Sequence, residues 1–233
     1  MFRNFLITII RNFNRSKWFS IVNILGLSTG LAAVFIIFLY IYHAQELGND
    51  VPKVPVFFLK PDTALLRSNQ PFFYPDFSTD IQYETELIVR INRLGKSIPQ
   101  KYARDYYDEI GIGIDFTARD LQQECKAKGL PWEIAKAFDN SAAISKYILK
   151  ETLPAPNNLH FHLNINGKTV QKGNSADMIF SFDAIIAYVS QFMTLRTGDL
   201  IFTGTPAGVG SVKINDLLDV YLEGERMMHF RIK

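Results

Sequence analysis

At 233 residues, 48% of them hydrophobic and 21% charged, the chain is composed like an ordinary globular protein, with length for one or two domains and a real core. Its net charge of +2 hides an asymmetry: residues 1–41 hold Arg3, Arg11, Arg15 and Lys17 with no acid, while the rest is mildly acidic, with 21 basic against 23 acidic side chains, so there is no reason to expect a nucleic-acid partner. Cys125 is the only cysteine, which excludes an internal disulfide and fits a reducing compartment.

The first segment stands apart. No charged side chain occurs from Trp18 to Gln45, and Phe19 to Tyr42 is mostly apolar. That is enough helix to cross a hydrocarbon layer of roughly 30 Å with some tilt. Gly26, Ser28, Thr29 and Gly30 suit close helix packing in a membrane. Arg11-Asn12, Arg15-Ser16-Lys17, Phe19-Ser20, Asn23-Ile-Leu-Gly-Leu27 and Gly30-Leu31 make this segment similar to the opening of ABC-type export permeases. Nothing downstream continues that likeness, and no GxxxxGK[ST] loop is present. Three readings stay open: a true membrane anchor in front of an enzyme, a fusion of two reading frames, or an apolar Val34–Tyr40 that serves as a first strand of the following domain.

After the apolar run, His43-Ala-Gln-Glu46 places an imidazole and a carboxylate one helical turn apart. Such a pair can draw a proton from water, or can be an ordinary surface contact. Val54 to Pro61 predicts a buried strand ended by proline, with Lys60 at its end. Ile81 to Arg90 predicts another strand, on which Glu84 and Glu86 share one side. Two such carboxylates repel unless water or a cation lies between them.

Gly111 to Asp115 is an alternating run that ends on a carboxylate. Thr117 and Asp120 have the spacing of a capping box, which predicts a helix through Leu121–Lys128 that stops at Gly129. Cys125 lies within that helix with no motif around it, so it reads as a structural or surface thiol. Arg119 and Gln122 stand one turn apart. Lys136 sits between Ala135, Ala137 and Phe138, an odd position for a solvated charge. An acid at a strand end and a cation in apolar company are what a metal-assisted site for a small anion needs, although a cap and a surface charge would look the same.

Leu159 to Val170 predicts a hairpin turning on Asn166-Gly167, with His160 and His162 a surface pair on one strand face. Ala184 to Phe192 predicts an amphipathic helix. Thr203-Gly-Thr-Pro-Ala-Gly-Val-Gly210 is a glycine-rich loop whose amides, with the Thr205 hydroxyl, can cradle an anion. It matches neither a mononucleotide nor a dinucleotide loop. Leu217 to Lys233 alternates and is expected to close a β-rich core.

Taken in order, these motifs from about Tyr42 to Lys233 resemble the fumarylacetoacetate hydrolase family, most closely its small acylpyruvate hydrolase and oxaloacetate decarboxylase members. The resemblance implies a mixed α/β, β-rich fold, the family's mixed β-sandwich roll, preceded here by one hydrophobic, transmembrane-like helix. It divides the chain into a permease-like residues 1–41 and a catalytic residues 42–233. It implies Mg²⁺ or Mn²⁺ held by Glu84, Glu86 and Asp115, an all-carboxylate set that suits a hard cation better than zinc. It implies catalytic roles for His43, Glu46 and Lys136, and substrate contacts for Lys60, Arg119, Gln122 and Thr205. The expected substrate is a short 2-oxo acid: hydrolysis of acylpyruvates, decarboxylation of oxaloacetate, or isomerisation of a related oxo acid. A homodimer is expected, on a membrane through residues 18–42 if that segment is expressed and cytoplasmic otherwise. Two departures matter. Gln82 stands where the family usually has histidine, and the strand end Gly-Arg-Asn-Tyr survives only as Tyr40, so a catalytically defective membrane-anchored fusion is the alternative of a different class.

Overall fold

The computed structural model describes residues 53–67 and 69–233. Residues 1–41, the expected membrane segment, and the His43/Glu46 pair lie outside the described residues. Among the described residues no helix is long and apolar enough to cross a membrane.

The chain from Val54 forms one compact unit. Its strands are β1 (Leu65–Arg67), β2 (Ile81–Tyr83), β3 (Thr85–Ile91), β4 (Tyr107–Asp115), β5 (Thr117–Ala118), β6 (Ala142–Ile144) and β7 (Ile148–Leu149). They continue with β8 (His160–Ile165), β9 (Lys168–Asn174), β10 (Leu200–Phe202), β11 (Gly210–Ser211), β12 (Leu217–Leu222) and β13 (Glu225–Arg231). The helices are α1 (Gln100–Ala103), α2 (Arg119–Lys128), α3 (Glu133–Lys136) and α4 (Phe182–Phe192). Three sheets result, with strand orders β1-β6-β4-β3-β10 (β7 also on β4), β11-β2-β5 and β13-β12-β8-β9. The mixed, sheet-rich architecture is the expected one.

The centre of the large sheet is the antiparallel pair β3 and β4, in register from Thr85↔Ile114 to Arg90↔Glu109. Their residues are β-branched and buried on both faces: Ile88, Val89, Ile110, Ile112 and Ile114 have no exposed surface, which reads as a continuous apolar run rather than an alternation. Gly113 is required there. A Cβ would lie 2.6 Å from both the Ala143 carbonyl oxygen and Ile88 Cδ1, so no side chain fits between β3 and β6. The hairpin β8–β9 turns on Asn166 and Gly167 at φ 53° and 79°, the paired positive φ of the expected turn. The Ser181 hydroxyl caps α4 by accepting from the Ala184 amide and so starts that helix two residues earlier than predicted.

Three local expectations are corrected. Val54 to Pro61 is no strand: no residue in it pairs, and Val54, Val56 and Leu59 are exposed. It runs as an extended strap, held by Phe57 against Tyr188 and Phe192 and by Phe58 against Trp132. Apolar residues alone do not make a strand when no sheet edge is offered to them. Thr117 does not cap α2 either. It lies in β5, and α2 begins at Arg119 with no side-chain cap from Ala118. Asp120 instead ties down the distant loop before β2, accepting from the Ser78 hydroxyl and the Thr79 amide. Finally, the predicted strand Ile81–Arg90 is broken at Glu84, between β2 and β3, and the two halves belong to different sheets.

Candidate active site

The break at Glu84 brings the acids together. Glu84 offers its carbonyl to the Asp115 amide at 2.8 Å, and Glu86 pairs with Gly113 across β3 and β4. Glu84, Glu86 and Asp115 thus hang from one antiparallel ladder. All three are buried, and one carboxylate oxygen of each lies within 4.8 Å of the others. Oxygens coordinating one hard cation at about 2.1–2.4 Å would span no more than this.

Cations surround them. Lys136 Nζ donates to Glu84 Oε2 (2.9 Å), Asp115 Oδ2 (2.9 Å) and Thr117 Oγ1 (2.6 Å). Burial alone would pull this lysine down, but Asp115 and Glu84 outweigh it and hold its pKa above the ordinary value. Arg119 Nη2 pairs with Glu84 Oε1 at 2.6 Å, and its Nη1 donates to Gln122 Oε1 at 2.5 Å. Gln82 accepts from Arg119 Nε at 2.8 Å and so steadies the arginine that holds Glu84. Burial opposes the charge on Glu84, yet Lys136 and Arg119 keep its pKa below the carboxylate norm.

Lys60 is drawn in by the strap. Its ammonium lies 2.8 Å from Asp115 Oδ1 and gives hydrogen bonds to the Lys136 carbonyl and, at 2.8 Å, to Ser141 Oγ. Burial lowers its pKa, and Asp115 only partly restores it. Asp115 Oδ1 is thus matched by this ammonium, while its Oδ2 faces Lys136. Glu86 is the acid the cations serve least. Burial, then Asp115, then Glu84 push its carboxyl up to about 8, and the Gly204 amide at 2.7 Å offsets only part of this. A buried, all-oxygen donor set of three convergent carboxylates, one of them poorly matched by cations, fits a hard divalent cation.

The structure therefore gathers Lys60, Glu84, Glu86, Asp115, Arg119, Gln122 and Lys136 at one place. The glycine-rich loop joins them through the Gly204 amide. Thr205 does so less directly: its hydroxyl donates to the Thr85 carbonyl (3.0 Å) and accepts from Gln171 Nε2 (2.9 Å), which leaves it no proton for a substrate carboxylate. The histidines 160 and 162 remain elsewhere, His162 stacked on Tyr221. Cys125 is fully buried and structural. Sequence reasoning missed Thr117, whose hydroxyl joins Lys136 to Glu84. Its place two residues after Asp115 in extended chain was the available signal. It also missed Ser141 and Gln171, for which no local signal exists.

Comparison with known proteins identifies the family. Residues 34–232 match the family described as fumarylacetoacetate (FAA) hydrolase C-terminal, and the chain belongs to that family. It is 42% identical over 194 residues to the mitochondrial oxaloacetate tautomerase of Mus musculus, covering 83% of this chain and 88% of that one. It is 42% identical over 186 residues to the mitochondrial oxaloacetate decarboxylase of Dictyostelium discoideum, covering 79% and 85%. Among solved structures, the fumarylpyruvate hydrolase of Pseudomonas aeruginosa in complex with Mn²⁺ and pyruvate superposes with a TM-score of 0.76 at 34% identity, covering 83% and 86%.

Proposed function

We propose that this chain is a divalent-cation-dependent enzyme of short 2-oxo acids, with oxaloacetate as its first substrate. The observation that carries the reading is the buried trio Glu84, Glu86 and Asp115 ringed by Lys136, Arg119 and Lys60. The named relatives support the substrate class. Glu84, Glu86 and Asp115 would hold Mg²⁺ or Mn²⁺, which supplies concentrated positive charge for the substrate's 1-carboxylate and 2-oxo oxygen. Lys136, kept protonated by its acids and with its three protons on Glu84, Asp115 and Thr117, would act through its charge, favouring the negative charge that grows on the 2-oxo oxygen. That charge grows equally when C3 loses a proton in tautomerisation and when the C3–C4 bond breaks to release CO₂, leaving the enolate that is protonated to pyruvate. Arg119, Gln122 and Lys60 orient the substrate's carboxylates, and the loop around Thr205 closes the site beside Glu86.

Hydrolysis of acylpyruvates is the second reading, supported by the fumarylpyruvate hydrolase relative. It needs water delivered to the acyl carbonyl, the task we assign to His43 and Glu46. The full chain, stripped with a chelator and reloaded with Mg²⁺ or Mn²⁺, should consume enol oxaloacetate and release pyruvate. His43→Ala should stop acetylpyruvate hydrolysis and spare decarboxylation. No metal-restored turnover of either substrate would overturn the assignment.

In this reading the enzyme body is a homodimer. The family match begins at residue 34, so Val34–Tyr40 falls within the matched stretch of sequence. If residues 18–42 instead act as a permease-like anchor, the full chain will stay with membranes through a carbonate wash; otherwise it will be recovered as a cytoplasmic protein.

A further inference from the structure

Strand β3 loses its neighbour where the acidic site begins. β10 pairs with it only from Arg90 to Ile88. Thr203 then gives both its amide (3.1 Å) and its hydroxyl (3.0 Å) to the Leu87 carbonyl. Gly204 turns away at φ 98°, a left-handed conformation suited to glycine, and its amide reaches the Glu86 carboxylate instead of a backbone carbonyl. On this edge Thr85, the residue between Glu84 and Glu86, is left with a donor and an acceptor that no strand serves.

Side chains serve them. Thr205 Oγ1 donates to the Thr85 carbonyl at 3.0 Å, and Gln171 Oε1 accepts from the Thr85 amide at 3.0 Å. Gln171 arrives from β9, in a different sheet, and only 2% of it is exposed. Its Nε2 donates to Thr205 Oγ1 and to the Pro206 carbonyl, both at 2.9 Å. One side-chain amide thus joins the carboxylate strand to the glycine-rich loop. It is neutral, so it adds no charge to a site already holding three acids and three cations. Leaving the Thr85 amide buried and unpaired would carry a real penalty.

We propose that Gln171 is a positioning residue for the acidic site. Its amide replaces the strand residue that β10 does not supply, and so sets Glu84 and Glu86 on either side of Thr85 and holds the Gly204 amide on Glu86. This rests on Glu84, Glu86 and Asp115 being the metal ligands. The residue acts on cation affinity, not only on folding.

The test is Mn²⁺ binding to the full chain by titration calorimetry, with thermal melting alongside. Gln171→Met, of similar length, should weaken Mn²⁺ binding about tenfold or more in protein that still melts cooperatively. Gln171→Asn keeps the neutral amide but is one methylene too short to reach Thr85, Thr205 and Pro206 together, so its affinity should fall between. Lys168→Ala, at the exposed start of the same strand, should bind as wild type does. A folded Gln171→Met chain with a Mn²⁺ Kd within twofold of wild type overturns the proposal. If that variant does not fold, Gln171→Asn decides alone, and wild-type affinity overturns it. A wild-type chain that takes up no Mn²⁺ instead overturns the metal-site reading, and this inference with it.

Discussion

The acids and the cations of the site are held in opposite ways. Glu84, Glu86 and Asp115 hang from a single antiparallel ladder, so their spacing follows from the β3–β4 register and the Glu84–Asp115 backbone bond. The cations come from separate segments: Lys60 from the unpaired strap, Arg119 from the first residue of α2, Lys136 from the last residue of α3. Long flexible side chains carry each of them to the acids. A cation site tolerates little error in ligand placement, whereas substrate groups can be met by side chains that adjust. In the function proposed above, the backbone-fixed acids would hold the metal, and the cations borne on long side chains would meet the oxo acid.

That division can be broken most sharply at the ladder. Asp115→Ala removes one proposed ligand and leaves Lys136 and Lys60 short of a counter-charge. Activity with Mg²⁺ should fall at least ~1000-fold, since the charge that stabilises the reacting oxygen goes with the ion. Breaking a buried pair should also cost about 3–5 kcal/mol of stability. Urea titration and pyruvate release measure the two effects. Unchanged turnover in a purified Asp115→Ala or Glu84→Ala variant would remove the metal-site assignment. Lys136→Met should cost less, about 100- to 1000-fold in kcat, and should leave Mn²⁺ binding in place. If binding were lost with activity, the lysine would belong to the ladder's task and the division would fail.

Glu86 sharpens the same contrast through pH. With a carboxyl pushed up to about 8, the metal-free protein holds a proton at neutral pH that the unfolded chain, titrating near 4.5, has released. The folded state then binds more protons across this window, so the contribution to stability is full below the unfolded value and is lost as pH rises toward 8. A cation requires the ionised form. Loading at pH 7 should therefore release close to one proton, and apparent affinity should climb with pH to about 8 and level off above it. Calorimetry in buffers of different ionisation enthalpy counts that proton. No proton release at pH 7 would mean that Glu86 is already ionised.

What could be read from residues alone follows the same line. Period-two alternation placed Glu84 and Glu86 on one side, and Lys136 betrayed itself as a charge among apolar neighbours. Asn166-Gly167 marked its hairpin because two successive positive φ values are a backbone demand that few residue types meet. The rest depended on partners distant in sequence. The capping-box spacing at Thr117 was real, but Lys136 and Glu84 offered that hydroxyl better partners than a helix terminus did. Thr205 looked like an anion-binding hydroxyl until Gln171 and Thr85 took both its roles. VPVFFLKP carried a strand's composition with no sheet edge to join.

The smallest expected effect comes from that strap. Val56 is 69% exposed, whereas Phe57 touches Tyr188 and Phe192, and the Phe58 ring has Lys136 Nζ 5.1 Å from its centroid and Lys60 Nζ at 5.9 Å. If the strap is held only through its two phenylalanines and Lys60, Val56→Ser should change stability by less than about 0.5 kcal/mol and leave turnover alone. Phe58→Leu, which keeps an apolar side chain and removes the aromatic face, should cost more, about 1 kcal/mol for cations so largely desolvated. Denaturant titrations of the two variants against wild type make the comparison. A Val56→Ser loss above 1 kcal/mol would show that the strap's outer face is covered in the assembled protein, and that the cationic side of the site is held as firmly as the acidic one.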